Sequence, residues 1–250
     1  MDRSEIFDIA HRRHPIAAPV APDQLRRLLG WLSPPPGGRA VDLGCGEGEW
    51  LQELLLARAR LTGVGVDHVL PAAAAERSAQ RGLGDRVRWA EADAAAWSEG
   101  LFDVVLCVGA SHAFGGLADM LADVRRNLRP GGQALVGDTI WEGAPSAEAL
   151  AALEVSPEDF PDLAGLVRAS REHGFEPSYG HTSTLAEWDE YEFSWTGSLV
   201  DWALREAPTA ADREQALAAA RAHRDAWLGG WRRQLGFATL VLHDVATAPR

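Results

Sequence analysis

The stretch Val41-Asp42-Leu43-Gly44-Cys45-Gly46-Glu47-Gly48-Glu49-Trp50 decides the reading of this chain. It reads as a buried strand that runs into a glycine turn and then opens a helix. Three glycines at every second position let the backbone approach a ligand closely, because no Cβ intervenes and positive φ costs little. The helix beyond aims its unpaired N–H groups at whatever occupies the turn. Asp42, just before the turn, sets a carboxylate where it can face a cationic group.

Working outward, residues 49–59 read as a helix and Leu61-Thr62-Gly63-Val64-Gly65-Val66 as a second buried strand ending on Asp67. A carboxylate at the end of the second strand is where a doubly wound fold holds ribose hydroxyls. Residues 71–81 predict an alanine-rich helix, and Val87-Arg88-Trp89-Ala90 a third strand followed by Glu91-Ala92-Asp93. Phe102-Asp103-Val104-Val105-Leu106-Cys107-Val108 is almost wholly apolar, as a central parallel strand should be. Gly109-Ala110-Ser111-His112-Ala113-Phe114-Gly115-Gly116 leaves that strand. Ligands of open α/β sheets bind outside the carboxyl ends of strands, so this loop should face the site. A helix over 117–128 ends in Arg129-Pro130-Gly131-Gly132, and residues 133–137 form a fifth strand. Strands and helices alternating across short turns give a parallel, doubly wound α/β sheet.

Beyond Asp138 the rhythm changes. Residues 142–158 are punctuated by proline and read as an excursion over the sheet edge. A helix over 160–172 and a strand over 175–184 follow, and Phe237-Ala238-Thr239-Leu240-Val241-Leu242 supplies a last strand. Between them, residues 185–234 read as a helical cap. Trp188, Tyr191, Trp195, Leu199 and Trp202 fall at spacings of three and four on one helix face. His223, Trp227 and Trp231 repeat at spacing four. This aromatic stripe reads either as plain core packing or as the wall of an apolar pocket, and both readings hold at once if the helices pack together.

At the start, Pro15, Pro19 and Pro22 predict irregular pieces around His11, Arg12, Arg13 and His14, read as a lid or as a solvated leader. Asp23 is the expected N-cap of a short helix over 24–31, and a Pro-rich connector closes the segment 1–38. The whole is read as a single domain over 1–250, with 39–138 as its ligand-binding half.

Composition narrows the classes. The 250 residues carry a net charge of -12, and all 24 basic residues are arginines, which reads as compositional bias rather than chemistry. A domain this acidic with no basic stripe is a poor partner for a phosphate backbone. No apolar run approaches the length of about 18 residues that a membrane span needs. Two cysteines, Cys45 and Cys107, with no CxxC spacing, argue against a disulfide framework or structural zinc and fit a cytoplasmic protein.

The ordered set Asp42 to Gly48, Asp67, Asp93, the loop at Gly109 and Arg129-Pro130-Gly131-Gly132 resembles the class I S-adenosylmethionine-dependent methyltransferases of the small-molecule type. The resemblance is strong over 39–138 and architectural elsewhere. It implies a Rossmann-like sheet of seven strands, the last antiparallel, with a helical cap inserted before it. By it, S-adenosylmethionine is the cofactor and S-adenosylhomocysteine its product. Asp42 with the backbone of Gly44, Cys45, Gly46 and Gly48 would hold the methionine moiety. Asp67 would take the ribose hydroxyls, His68 would pack near the adenine, and Asp93 with Ala94 would meet the adenine amino group, with Gly109 lining the site. A nicotinamide-type GxGxxG counted from Gly44 would need glycine at position 49, where Glu49 stands. Nucleic-acid amino methyltransferases carry an Asn/Asp-Pro-Pro-aromatic run where this chain reads Val108-Gly109-Ala110-Ser111.

The expected chemistry is methyl transfer to O, N or C of a small apolar or aromatic acceptor, independent of metal, by a monomer or homodimer. His112 is the first candidate for general base, because a nearby imidazole suits proton removal at neutral pH. His14 is a second, and Tyr179, His181, Glu190 and Tyr191 are further alternatives. Trp141, Tyr179, Trp188, Tyr191 and Trp195 are the candidate acceptor contacts. A decarboxylase or cyclase that keeps the cofactor site, and a non-catalytic binding module, are the rival readings.

Overall fold

The computed structural model describes residues 1–69 and 72–245. In chain order the elements are α1 (Arg3–His11), α2 (Pro22–Gly30), β1 (Arg39–Leu43), α3 (Glu49–Ala57), β2 (Thr62–Asp67), α4 (Ala72–Gln80), β3 (Val87–Glu91) and β4 (Phe102–Val108). Then follow α5 (Leu117–Asn127), β5 (Leu128–Trp141), α6 (Ala147–Leu153), α7 (Leu163–Glu172), β6 (Phe175–Thr182), α8 (Leu185–Arg205), α9 (Ala210–Ala226) and β7 (Leu235–Asp244). Pro71, the expected first residue of α4, lies outside the described residues. The chain divides into two compact units: Met1–Val20, Trp141–Phe160 and Ser183–Gly236 form the smaller, and Ala21–Ile140, Pro161–Thr182 and Phe237–Arg250 the larger.

The larger unit is built on one sheet of seven strands in the order β3-β2-β1-β4-β5-β7-β6. β1 pairs in parallel with β2 and with β4, so successive connections leave it in opposite directions and open a crevice at the carboxyl ends of β1 and β4. β7 runs antiparallel to β5 and β6. The inner strands are apolar on both faces because helices cover both. Val41, Leu43, Val66, Phe102, Val105, Met120 and Val136 pack in one core cluster. The Arg39 guanidinium lies 4.4 Å over the Phe102 ring, and the Arg39 N–H donates to Asp103, so the foot of β1 is locked to the foot of β4.

Residues 129–132 do not separate helix from strand as the sequence suggests. β5 begins at Leu128, directly after α5, and pairs Phe102 with Leu128 and then Val104 with Gln133. The intervening residues bulge out, with Gly131 at φ +74° and its N–H donated to Asp244 Oδ2 at 2.8 Å. Asp244 also meets Arg125 at 3.2 Å, so the buried end of β7 holds this turn from two sides. α2 likewise starts earlier than expected: Ala21 is its N-cap and Pro22 its first residue, a place where the missing N–H costs nothing.

The smaller unit is helical. The opening segment is not a solvated leader: α1 packs with α8 and α9 through Ile9, Ala10, Leu199 and Ala220, while residues 12–21 between α1 and α2 are irregular, as their prolines predict. The prolines begin only at position 15, and the Asp2–Glu5 capping box satisfies the free donors at the start of α1. α8 carries a second such box, Thr184 with Glu187. The stretch 142–158 contains α6, whose Ala149 packs against Trp227 and Trp231 of a π-helical turn that ends α9. Among the described residues no helix is long and apolar enough to cross a membrane.

Candidate active site

The glycine turn has the backbone its sequence requires. Gly44, Gly46 and Gly48 take φ of +74°, +48° and +75°, which side chains with a Cβ rarely adopt. A Cβ on Gly44 would lie 2.5 Å from the Cβ of Ala110, so β1 and the loop after β4 close on each other only because this residue is glycine. Gly44 and Cys45 donate their N–H groups to Val66 O at 2.9 and 3.0 Å, which fastens the turn to the end of β2. Gly48 caps α3, while α4 supplies two arginines: Arg77 bonds the Glu47 carboxylate, and Arg81 holds Glu49 at 2.9 Å. The acidic residues within the motif are thus neutralised by the scaffold and leave the turn free.

Asp42 is different. It is 2% exposed, and among the described residues its Oδ2 has no hydrogen-bond partner. Burial first, and the neighbouring Asp67 carboxylate second, push its pKa from 3.8 up to about 7, against a hydrogen bond from the Leu51 backbone. A buried carboxylate oxygen without a partner is costly, and an ammonium group is the partner that repays it best. Asp67 stands half-buried at the end of β2. Its Oδ2 accepts from Gly46 N at 2.8 Å, and its Oδ1 meets His68 Nδ1 at 2.9 Å. The His68 side chain is otherwise exposed. One strand further, Ala92 N donates to Asp67 O at 2.8 Å, and exposed Asp93 accepts from Ala95 N at 3.0 Å with Ala94 buried beside it. The glycine turn, Asp67 and Asp93 therefore lie along one edge of the sheet, at the carboxyl ends of β1, β2 and β3. An acid for an ammonium, a left-handed glycine turn without side chains, and an acid at the next strand end fit S-adenosylmethionine.

On the other side of the crevice, Gly109 has φ +76° and donates to Gly137 O at 2.8 Å. Ser111 and exposed His112 follow on a short 3-10 turn. Ser111 Oγ donates to Asp138 Oδ1 at 3.0 Å, and Thr139 N donates to the same oxygen at 2.8 Å. Burial raises the Asp138 pKa, while these two bonds and the charge of His112 pull it down. Sequence reasoning treated Asp138 only as the end of the regular rhythm. A carboxylate directly after the apolar run 134–137 was the signal available, although β5 itself continues to Trp141.

The other expected residues divide. Tyr179, on β6 in the larger unit, stacks on Trp31 at 4.7 Å. In the smaller unit Trp141 packs on Phe160 and donates its Nε1–H to Pro157 O at 2.9 Å, and Trp195 stacks on His223 at 4.0 Å. The same unit brings His14 and Trp188 each edge-on to the ring of Tyr191, with centroids 5.3 and 6.3 Å away. Among the described residues no three His, Cys, Asp or Glu side chains gather in a way that could hold a metal ion.

Comparison with known proteins agrees with this geometry. Residues 40–132 match the model of a methyltransferase domain. The chain is 34% identical over 200 residues to the uncharacterized protein YjhP of Escherichia coli, covering 77% of this chain and 79% of that one. It is 30% identical over 123 residues to the 27-O-demethylrifamycin SV methyltransferase of Amycolatopsis mediterranei, covering 48% of this chain and 45% of that enzyme. The crystal structure of a SAM-dependent methyltransferase from Geobacter sulfurreducens in complex with S-adenosyl-L-homocysteine superposes with a TM-score of 0.86 at 28% identity, over 95% of this chain and 97% of that one. The chain belongs to the class I S-adenosylmethionine-dependent methyltransferases.

Proposed function

We propose that this methyltransferase acts on a small apolar or aromatic acceptor, independently of metal, with His112 as the proton acceptor. The observation that carries the reading is the pairing of a buried, unpartnered Asp42 oxygen with a histidine that stands on the loop closed against Gly44. The similarity to 27-O-demethylrifamycin SV methyltransferase, whose name specifies an oxygen, favours oxygen among O, N and C. Bound S-adenosylmethionine supplies an electrophilic methyl group on a sulfonium sulfur.

Each residue then has a role. Asp42 pairs with the methionine ammonium, and the glycine turn, with no Cβ at Gly44, Gly46 or Gly48, lets the methionine moiety approach the backbone closely. Asp67 holds the ribose hydroxyls through the oxygen that His68 borders, and the same carboxylate braces Gly46. Asp93 and Ala94 frame the adenine. When an acceptor takes the methyl group, the His112 imidazole would take the acceptor's proton. The Asp138 carboxylate, positioned by Ser111 and Thr139, stabilises the imidazolium that results. General-base assistance of this kind contributes on the order of 10²–10⁴ in rate. His112→Ala is expected to lower kcat within that range and to lose the acid limb of the pH–rate profile, with S-adenosylhomocysteine affinity unchanged. Wild-type turnover with the same acid limb removes His112 from proton transfer.

A further inference from the structure

β2 reads Thr62-Gly63-Val64-Gly65-Val66-Asp67, and its two glycines, two positions apart, leave one face of the strand bare. Leu51 of α3 occupies the place at Gly63, where a Cβ would lie 2.7 Å from Leu51 Cδ1. Trp89 of β3 occupies the place at Gly65. A Cβ there would collide with Cζ3 and Cε3 of the indole and would lie 3.1 Å from Cys45 Sγ. Asp42, Gly65 and Trp89 stand in register on β1, β2 and β3. Register partners share a face of the sheet, so the ring crosses β2 over the glycine toward β1.

The far edge of the ring ends at the cofactor turn. A Cβ on Gly48 would lie 2.6 Å from Trp89 Cζ3 and closer still to Cη2. Gly48, at φ +75°, is the N-cap of α3, and its carbonyl accepts the first helical bond from Gln52 N at 3.0 Å. The pyrrole edge of the indole is tied to α4. Its Nε1–H donates to Ser78 Oγ at 3.3 Å, and the buried Ser78 hydroxyl donates to Ala75 O at 2.8 Å. α3 in turn donates the Leu51 backbone N–H to the Asp42 carboxylate. A chain of contacts therefore runs from α4 through the indole to Gly48, along the first turn of α3, and back to Asp42.

We propose that Trp89 is a positioning residue for the cofactor: its indole sets the height of Gly48 and of the start of α3, and through them the place of the Asp42 carboxylate. Packed interiors leave few voids, so a shorter side chain at position 89 opens a gap into which the turn and the helix settle. Hydrogen bonds weaken steeply with misalignment, so a small shift of Asp42 is read as lost affinity for the methionine ammonium. The proposal rests on the cofactor role given to Asp42, and it explains why positions 48 and 65 are both glycine.

The test is calorimetric titration of S-adenosylhomocysteine into the wild type, Trp89→Leu, Gly65→Ala, the double variant and Asp42→Asn, each well below its melting midpoint. Trp89→Leu removes the ring and is expected to weaken binding about tenfold, the effect of one misaligned charge-assisted bond. Gly65→Ala pushes the ring away and should cost a similar factor. With the ring gone the new methyl group meets no indole, so the double variant should bind no more weakly than Trp89→Leu alone. A residue that merely packs would lower the melting midpoint and leave the affinity of the folded protein unchanged. That result in Trp89→Leu, or losses that multiply in the double variant, overturns the proposal. Ser78→Ala only unties the indole from α4 and keeps the test open if Trp89→Leu does not fold. It should weaken binding about threefold, and unchanged affinity there is equally fatal. If Asp42→Asn binds like the wild type, the cofactor role of Asp42 fails and the proposal with it. If Asp42→Asn alone weakens binding, only the role of Trp89 is overturned.

Discussion

Asp42 brings a pH dependence with a definite sign. Folding raises its pKa from 3.8 to about 7, chiefly by burial, so the folded chain holds this proton more tightly than the unfolded one. Its contribution to stability is full below about pH 3.8 and is lost as pH rises through about 7. The groups around it do not reverse this: Asp67 adds negative charge, and the Cys45 and Cys107 thiols, pushed up by burial, stay neutral. A ligand ammonium needs the carboxylate form. Affinity for S-adenosylhomocysteine should therefore increase as pH rises toward about 7 and then level off. Asp42→Asn should abolish that slope in calorimetric titrations, and the ligand-free variant should melt above the wild type at alkaline pH. Asp67 offers a simpler test. Removing a partner from a desolvated hydrogen bond costs about 1–3 kcal/mol, so Asp67→Ala should weaken S-adenosylhomocysteine binding about tenfold or more. Unchanged affinity would reject its ribose role, and its bond to Gly46 N makes some loss of turn rigidity part of the expected effect.

At the scale of elements, the strands that frame the cofactor site were legible because they are continuous apolar runs ended by glycine or a carboxylate. β1, β2 and β4 fall where their residues say, and Asp67 and Asp93 fall at the strand ends. α1 was hidden by its neighbours: Pro15 and Pro19 sit just beyond it, and its apolar face is only Ile6, Ile9 and Ala10. That face becomes visible once α8 and α9 supply Leu199 and Ala220 to cover it, from residues nearly two hundred positions away. The bulge at residues 129–132 was hidden for the same reason, since the acid that accepts from Gly131 is Asp244. The stack of Tyr179 on Trp31 likewise joins residues far apart in sequence that no local pattern links. Leu199 is fully buried at the meeting of α1, α8 and α9. Leu199→Ala should cost about 2–5 kcal/mol, read as a lowered melting midpoint, because both the buried methyl groups and the cavity left behind count against the fold. A loss within error of zero would mean that α1 does not pack there in solution.

Over the whole molecule, a seven-stranded sheet, parallel from β3 to β5 and with a topological reversal between β1 and β4, provides the cofactor's place, and a separate helical unit carries the tryptophan-rich faces. The first was written in a short-range pattern around residues 41–50, which is why the class could be read from sequence. The second depends on packing between residues far apart in sequence. Trp141, Trp195 and Trp188 all make internal ring contacts, with Phe160, His223 and Tyr191 in turn. The central claim, methyl transfer to a small acceptor, is tested most directly by mass analysis of both products after incubation of the purified protein with S-adenosylmethionine, EDTA and a panel of aromatic and polyketide-like acceptors. The account predicts S-adenosylhomocysteine and an acceptor heavier by one methyl group, in equal amounts. Conversion of an acceptor with S-adenosylmethionine left intact, or turnover that stops when EDTA is present, would contradict it.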